Sequence, residues 1–328
     1  MPSKDMPLKQ LKKYMGTNER PENFWEFWDG QMERVKRASA AFRSESCEIP
    51  DNEQVEYRDI LTTGMAGGLL HAKLVRPRRS PGEKIPLVLQ FHGYPGASRG
   101  WFEQTSFAGM GLAVLAMECP GQGGYSRDGK SREGTTASDH IIMGLDGPPE
   151  KMYYVDTFLD TCLMVKIAEQ MEGIDTERIY VNGGSQGAAL SLVCAALNPH
   201  RIKRCAAAYP FLSDYKRVYD MDRDMVVYDG LRYYTRWFNP DGRRTEEIFK
   251  KLGYIDVQNF VERIQCPVLF ATGLMDEVCP PSTQFAVYHK IKAPKKHMIF
   301  PDYGHEEIGS FDDMLLSFLG GENPVWPE

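Results

Sequence analysis

Residues 178–187, Arg-Ile-Tyr-Val-Asn-Gly-Gly-Ser-Gln-Gly, are the stretch from which the fold of this chain can be predicted. The stretch opens with a short run typical of a β-strand and ends in a Gly-x-Ser-x-Gly sequence centred on Ser185. Residues 188–197 are small and apolar, as expected for a buried helix. A strand, a sharp turn and a helix in this order predict an exposed serine, with the helix N-terminus directed at its hydroxyl.

Gly183 and Gly187, which flank the serine, are expected to be required by sterics. The serine backbone is strained in such a turn, and a Cβ at either glycine would collide with the neighbouring strand or helix. A Gly-x-Ser-x-Gly sequence also occurs in glycine-rich connections that have no catalytic role. The choice between these interpretations depends on whether the chain supplies an acid, a base and an oxyanion site.

Past the first 50 residues, β-like and helix-like runs alternate along the chain. This alternation is typical of parallel strands that are connected by helices over both faces of a sheet. We therefore predict an α/β fold with a mostly parallel central sheet flanked by helices. One helix is predicted over residues 152–171, where apolar side chains recur at helical spacing. The predicted strands are residues 55–61, 69–75, 85–91, 112–117, 178–182, 204–208, 267–271 and 297–300.

The first 50 residues are predicted to form an N-terminal helical extension of a single domain, residues 1–328. An amphipathic helix is expected from Pro21 toward Ala41, and its aromatic cluster favours packing against the sheet or a partner subunit over a ligand cage. Residues 123–150 and 214–247 interrupt the alternation and are interpreted as insertions near the site or an interface. The aromatic cluster consists of Phe24, Trp25, Phe27 and Trp28.

Composition, charge and residue spacing argue against several classes of function. A net charge of −6 argues against a nucleic-acid partner. The N-terminus has no signal-peptide pattern, and no apolar run approaches the roughly 18 residues of a membrane span. Seven cysteines without a C-x-x-C pair favour reduced residues in a cytoplasmic protein. Because histidines and cysteines lack ligand spacing and no Gly-x-Gly-x-x-Gly follows a strand, neither a metal nor another cofactor is expected.

A base must follow the serine along the chain if Ser185 is a nucleophile at such a turn. Of the seven histidines, His289, His297 and His305 come late enough. His289 falls in a predicted helix, and His297 begins a predicted strand at the end away from the site. His305 follows that strand at the end where the serine should lie, and is the predicted general base.

Asp276 is the predicted acid, since it lies just past the strand at 267–271 and the break at Gly273. We expect its carboxylate to accept a hydrogen bond from the imidazole Nδ1–H and so to fix the tautomer. The competing carboxylates are Glu277 and Asp302, and Asp302 is expected to shape the histidine loop instead.

The oxyanion site needs two backbone N–H donors, and the first is predicted to be that of Gln186, directly after the nucleophile. The second should come from the loop after an early strand, residues 91–96, Phe-His-Gly-Tyr-Pro-Gly. Its His-Gly pair is similar to the oxyanion motifs of esterases, which would place the Tyr94 amide at the oxygen. His92 is then structural, because it precedes the serine.

Five motifs that occur together in this order resemble the acetyl xylan esterase and cephalosporin C deacetylase family, which has the α/β-hydrolase fold. The resemblance covers nearly the whole chain. It implies a cytoplasmic esterase that removes acetyl groups from short acetylated xylo-oligosaccharides and from cephalosporin C, usually as a homohexamer. The motifs are His-Gly-Tyr at 92–94, Gly-Gly-Ser-Gln-Gly at 183–187, Tyr-Pro-Phe-Leu-Ser-Asp at 209–214, residues 276–282 and His-Glu at 305–306.

The resemblance also implies roles for individual residues. The chain departs from the family at residues 120–122, where Pro-Gly-Gln stands in place of the typical Arg-Gly-Gln, so the contacts of that arginine are absent. The resemblance is therefore weaker for the local loop and the oligomer contacts, and the triad is unaffected. The implied residues are Ser185, Asp276 and His305 for the triad, the amides of Tyr94 and Gln186 for the oxyanion hole, and Phe211 and Val278 for the acyl pocket.

The predicted reaction is acyl transfer through an acetyl-enzyme on Ser185, which water then hydrolyses. Two alternatives stay open. The first is an α/β-hydrolase of another specificity, such as a peptidase or a longer-chain esterase, although no long apolar lid is visible. The second is a non-catalytic hydrolase-like binding protein, although such proteins usually lose a triad residue.

Overall fold

The computed structural model describes residues 4–80, 82–134, 139–221, 226–321 and 323–327. Within this part of the chain, nine strands form one sheet. They are β1 (Arg43–Ser46), β2 (Val55–Thr63), β3 (Leu69–Pro77), β4 (Ile85–Phe91), β5 (Ala113–Met117), β6 (Ile174–Gly184), β7 (Ile202–Ala208), β8 (Val268–Gly273) and β9 (Lys295–Phe300).

Ten α-helices accompany the described strands, together with short 3-10 turns at Pro149–Lys151, Val226–Tyr228 and between residues 253 and 263. The helices are α1 (Leu8–Leu11), α2 (Phe24–Arg37), α3 (Trp101–Gly109), α4 (Tyr153–Ala168), α5 (Gln186–Leu197), α6 (Tyr215–Met221), α7 (Asp229–Phe238), α8 (Thr245–Leu252), α9 (Pro281–Lys290) and α10 (Gly309–Gly320).

The sheet order is β1-β2-β3-β5-β4-β6-β7-β8-β9. β1, β2, β3 and β5 pair antiparallel, whereas β5, β4, β6, β7, β8 and β9 pair parallel. Every residue of β5 is buried, as expected for a strand covered by helices on both faces. The predicted α/β fold with a mostly parallel sheet is therefore confirmed.

Helices cover both faces of the sheet because strand side chains alternate between them. Leu87 and Leu89 of β4 join the apolar cluster that contains α4 and α5, and Val88 joins the cluster that contains α3 and α10. The parallel strands place their carboxyl ends at one edge of the sheet. The residues after β4, β6, β8 and β9 meet at this edge, which is where the site lies.

The N-terminal extension differs in two ways from the prediction. Helix α2 ends at Arg37 rather than near Ala41, and the chain then enters β1, a strand that was not predicted. All four residues of β1, Arg-Ser-Glu-Ser, are exposed. Because this charged edge strand has no apolar face, its sequence carries no alternation from which a strand could be predicted.

The aromatic cluster of α2 is packing, as predicted, but its partners are helices and turns rather than the sheet. Phe24 and Trp28 are buried, and both rings lie 4.9 Å from the ring of Phe260. The Trp28 indole also donates a hydrogen bond to the Tyr254 carbonyl at 2.9 Å. The rings therefore anchor the extension to the chain that follows α8.

The two predicted insertions have different structures. Residues 123–134 and 139–148 are irregular, whereas 214–247 contain α6, α7 and the first turn of α8. Residues 135–138 and 222–225 of these insertions, and the ends of the predicted domain at 1–3 and 328, lie outside the described residues. None of the described helices is long and apolar enough to cross a membrane.

Asp160 on α4 is a buried carboxyl that we expect to make stability depend on pH. One of its oxygens accepts a hydrogen bond from the Met65 N–H at 2.6 Å, and the other has no partner among the described residues. Burial raises its pKa to about 8. Since the unfolded pKa is about 3.9, the stabilisation is complete below that pH and is lost as the pH rises toward 8.

We predict that Asp160→Asn, whose side chain cannot ionise, removes this loss of stability at rising pH. Relative to the variant, the wild type should lose up to about 1.4 kcal/mol of unfolding free energy for each pH unit between about 5 and 8. Urea denaturation across this range measures the difference. Glu177→Gln, which changes an exposed carboxylate, is the control. Parallel pH profiles for the wild type and Asp160→Asn would contradict the prediction.

Candidate active site

Ser185 lies at the sharp turn between β6 and α5, with φ of 56° and ψ of −121°. A non-glycine residue in this region is strained by about 1–3 kcal/mol. A Cβ on Gly183 would lie 2.4 Å from the Gly187 backbone, and one on Gly187 would lie 2.0 Å from the Phe91 carbonyl oxygen. The predicted steric need for both glycines is confirmed, because any side chain there would open the turn.

His305 joins the serine to a buried carboxylate. Its Nε2 lies 3.0 Å from Ser185 Oγ, and its Nδ1 lies 2.9 Å from Asp276 Oδ2. A carboxylate only accepts hydrogen bonds, so Nδ1 carries the proton and the Nε2 lone pair faces the serine hydroxyl. The structure thus brings the three predicted triad residues together in the geometry that general-base activation of a serine requires.

Asp276 is completely buried and is held at both oxygens. Oδ1 accepts hydrogen bonds from the backbone N–H groups of Val278 and Cys279 at 2.9 and 2.8 Å. Oδ2 accepts a further bond from Gln284 Nε2 at 3.0 Å. Gln284, on α9, was not predicted, because nothing in the sequence indicates which polar side chain faces the acid.

The two competing carboxylates lie elsewhere. Glu277 is exposed and forms an ion pair with Lys4 at 3.1 Å, and Asp302 is exposed. The other late histidines are also used elsewhere: His289 Nδ1 donates to the Tyr14 carbonyl at 2.7 Å, and His297 Nε2 lies 2.9 Å from Thr272 Oγ1. His297 is the third residue of β9 rather than the first.

The two predicted oxyanion donors lie on either side of the serine. Gln186 is the first residue of α5, and Gly93, whose carbonyl group shares a peptide unit with the Tyr94 N–H, has its Cβ position 3.8 Å from the Ser185 Cβ. Neither the Tyr94 nor the Gln186 N–H donates to another described residue. Their role as the oxyanion hole stays a prediction that this arrangement supports.

His92 fixes the orientation of the peptide that carries the Tyr94 donor. Its Nδ1–H donates to the Gly93 carbonyl at 2.7 Å, and its Nε2 accepts from the Cys119 N–H at 2.9 Å. The Gly93 carbonyl and the Tyr94 N–H belong to one planar peptide and point in opposite directions, so fixing the carbonyl also fixes the donor. Burial lowers the pKa of His92, in agreement with a neutral ring.

We predict that His92→Leu lowers kcat for ester hydrolysis about 100-fold with little change in KM, because a misaligned donor affects the transition state more than the bound substrate. Steady-state kinetics with p-nitrophenyl acetate measure this. His200→Leu, at an exposed histidine after α5, is the control. A raised KM with unchanged kcat would show that His92 contributes to substrate binding instead.

Two side-chain amides join the start of α5 to the loop at 120–122. Gln186 Nε2 donates to Gln122 Oε1 at 2.9 Å, and Gln122 Nε2 donates to Gln186 Oε1 at 2.8 Å. The Tyr153 hydroxyl donates to the Pro120 carbonyl at 2.6 Å. The loop at 120–122 is therefore held through its glutamine and a backbone carbonyl, with proline at the position where the resemblance implies an arginine.

The predicted acyl-pocket residues lie next to the triad. The Phe211 ring stacks on that of Tyr94 at 5.7 Å, and its N–H donates to the Ser185 carbonyl at 3.1 Å. Val278 is half-buried beside Asp276. A cavity of about 540 Å³ is lined by Ser185 and His305 but not by Phe211 or Val278. Their role in an acyl pocket stays a prediction.

The described residues contain no group of three or more side chains that could hold a metal ion.

A family model described as acetyl xylan esterase (AXE1) matches residues 1–321. The chain belongs to the acetyl xylan esterase family. Family membership and the α/β-hydrolase fold, both predicted from the motifs, are thereby confirmed.

Solved and curated relatives agree with this family. Acetyl xylan esterase 1 from Thermoanaerobacterium sp. JW/SL YS485 is 40% identical with a TM-score of 0.92, over 96% of this chain and 98% of that one. An acetyl xylan esterase from Paenibacillus sp. R4 is 28% identical with a TM-score of 0.91, over 96% and 99%. Acetyl esterase Axe7A of Xylanibacter ruminicola is 30% identical over 87% of this chain, and the chain spans 63% of the length of that protein.

Proposed function

We propose that this protein is a serine esterase that removes acetyl groups from acetylated xylo-oligosaccharides and related small acetyl esters. The observation that carries the proposal is the hydrogen-bonded array of Ser185, His305 and Asp276 beside a cavity. The names of its relatives, acetyl xylan esterases and an acetyl esterase, support the substrate class.

The proposed mechanism is double displacement. Ser185 Oγ attacks the acetyl carbonyl carbon while His305 Nε2 accepts the hydroxyl proton, and the amides of Tyr94 and Gln186 stabilise the oxyanion. His305 then protonates the leaving sugar oxygen, and an acetyl-enzyme remains on Ser185. Water adds to this ester with His305 again as base, and acetate leaves. Asp276 stabilises the imidazolium in both halves.

We also propose that cephalosporin C is a substrate. Its acetyl ester is of the same small acyl class, and the resemblance of the motif set to cephalosporin C deacetylases supports it. The acyl group is the same in both substrates, so the two differ in the alcohol that leaves. Discrimination between them would then arise on the alcohol side of Ser185.

A deacetylation panel tests the proposed function. Acetate release should be detected from acetylated xylobiose, glucose pentaacetate and cephalosporin C, and p-nitrophenyl acetate should be hydrolysed faster than the octanoate ester. Preference for octanoate, or hydrolysis of an acylated peptide substrate without acetate release from the sugars, would contradict the acetyl-esterase assignment.

We further propose that the protein acts in the cytoplasm as a homohexamer. The described cysteines are all free, and six of the seven are buried, which supports a reducing compartment. The hexamer is supported by the family resemblance. Multi-angle light scattering of the purified full chain should give six subunits, and a monomer mass at working concentration would contradict the assembly.

A further inference from the structure

The cavity beside Ser185 runs down one face of the sheet, between α3 and α10. Phe107 of α3 and Phe311 of α10 line it, and both belong to the apolar cluster on that face. Asn182 of β6 also lines the cavity, and its side chain is directed to the same face as that of Tyr180, two residues before it. The cavity therefore has apolar walls, a polar strand residue and the catalytic candidates Ser185 and His305 at one end.

Two polar groups in this cavity have no described protein partner. Asn182 is 7% exposed, and its side-chain amide makes no hydrogen bond to any residue described. The Tyr209 phenol is likewise unpaired within the described chain, and it lies 3.0 Å from where a Cβ on Gly184 would be. The Tyr209 ring is 5.0 Å from that of His305. An amide and a phenol that face the cavity beside the triad can bind the hydroxyls of a ligand.

The mouth of the cavity is acidic. Among the described lining residues there are five carboxyl groups and one guanidinium, that of Arg99, which pairs with Glu307 at 2.6 Å. A site with this charge attracts cationic ligands and repels anionic ones, whereas a neutral ligand enters without an electrostatic penalty. The five carboxyl groups are those of Glu103, Glu306, Glu307, Asp312 and Asp313.

We propose that this cavity is the binding site for the alcohol part of the ester and selects a neutral, hydroxyl-bearing sugar over an anionic leaving group. Asn182 and Tyr209 would bind sugar hydroxyls, and Phe107 and Phe311 would contact the apolar faces of the rings. The inference rests on the proposed acetyl-esterase function and deepens it, since it names the site that would distinguish acetylated xylo-oligosaccharides from cephalosporin C, whose leaving group carries carboxylate.

The first test measures specificity rather than total activity. Asn182→Ala should lower the ratio of kcat/KM for acetylated xylobiose to kcat/KM for p-nitrophenyl acetate about tenfold, the equivalent of one lost hydrogen bond of about 1.4 kcal/mol. Tyr209→Phe should lower the same ratio through its lost hydroxyl while keeping the ring. An unchanged ratio in both variants would overturn the inference, even if both rates fall together.

The second test changes the charge at the mouth. The double variant Glu103→Gln with Asp313→Asn should raise kcat/KM for cephalosporin C about threefold relative to that for acetylated xylobiose, and added NaCl should do the same for the wild type. Glu177→Gln, near the amino end of β6, is the matched charge control and should not change the relative rates. If the ratio of kcat/KM for the two substrates depended on neither the charge at the mouth nor the salt concentration, the inference that this charge selects against anionic leaving groups would be overturned.

The two proposals fail in different ways. If the wild type hydrolyses p-nitrophenyl acetate but not acetylated xylobiose, the sugar specificity is wrong, and the alcohol site as proposed is wrong with it. If the wild type hydrolyses acetylated xylobiose and Asn182→Ala leaves the substrate ratio unchanged, the esterase function stands and the cavity inference alone is wrong.

Discussion

Ser185→Ala is expected to lower kcat/KM for p-nitrophenyl acetate by about 10⁴-fold or more, because it removes the atom that forms the acetyl-enzyme. The remaining activity would come from the oxyanion donors and from binding. The substitution removes one oxygen, whose hydrogen bond is to His305 Nε2 at 3.0 Å, and leaves the backbone of the turn unchanged, so folding should be little affected. Hydrolysis of p-nitrophenyl acetate and of acetylated xylobiose, with thermal unfolding in parallel, measures both effects.

Ser191→Ala is the matched control, since Ser191 is a buried serine on α5 whose hydroxyl donates to the Gly187 carbonyl at 2.8 Å. Rapid mixing of the wild type with p-nitrophenyl acetate should also release a burst of one phenol per active subunit, and mass spectrometry should locate an acetyl group on Ser185. Retained activity in Ser185→Ala would remove the serine from the mechanism.

Asp276→Asn is expected to lower kcat about 1,000-fold or more with the fold intact. If the new NH₂ group replaced Oδ1, it would face the backbone N–H donors of Val278 and Cys279, and this contact between donors disfavours that orientation. If the NH₂ group replaced Oδ2, it would face Gln284 and would donate to His305 Nδ1. In that arrangement the imidazole proton moves to Nε2, which can no longer accept the proton of Ser185.

The measurement is the kcat of Asp276→Asn on p-nitrophenyl acetate at neutral pH, together with its melting temperature. Glu277→Gln, the same change at the next residue, is the control, and it should alter kcat less than about twofold because Glu277 is exposed and paired with Lys4. A folded Asp276→Asn enzyme that keeps more than about a tenth of its kcat would contradict the acid role.

Much of the parallel sheet could be predicted because its strands are short apolar runs separated by helical segments. β4 begins and ends at the predicted residues, while β6 and β9 extend the predicted strands by a few residues. β1 could not be predicted, since an exposed strand of Arg-Ser-Glu-Ser has no alternation. Its strand conformation comes from pairing with β2, a contact between segments that are separate in sequence.

The sequence by itself determined the elbow at Ser185 and the order in which Asp276 and His305 follow it. These features depend on sterics and periodicity among neighbouring residues. At Gly183 and Gly187, for example, a Cβ would collide with the nearby backbone. They also depend on a topological rule, that residues just after parallel strands meet at one edge.

Only the tertiary structure decided what surrounds these residues. In the folded chain Gln284 donates a hydrogen bond to Asp276, and His92 accepts one from the Cys119 N–H. Asn182 and Tyr209 line a cavity between α3 and α10. These groups come from strands, loops and helices that lie far apart along the chain. Their contacts form only when the sheet is ordered, so no local pattern in the sequence could have indicated them.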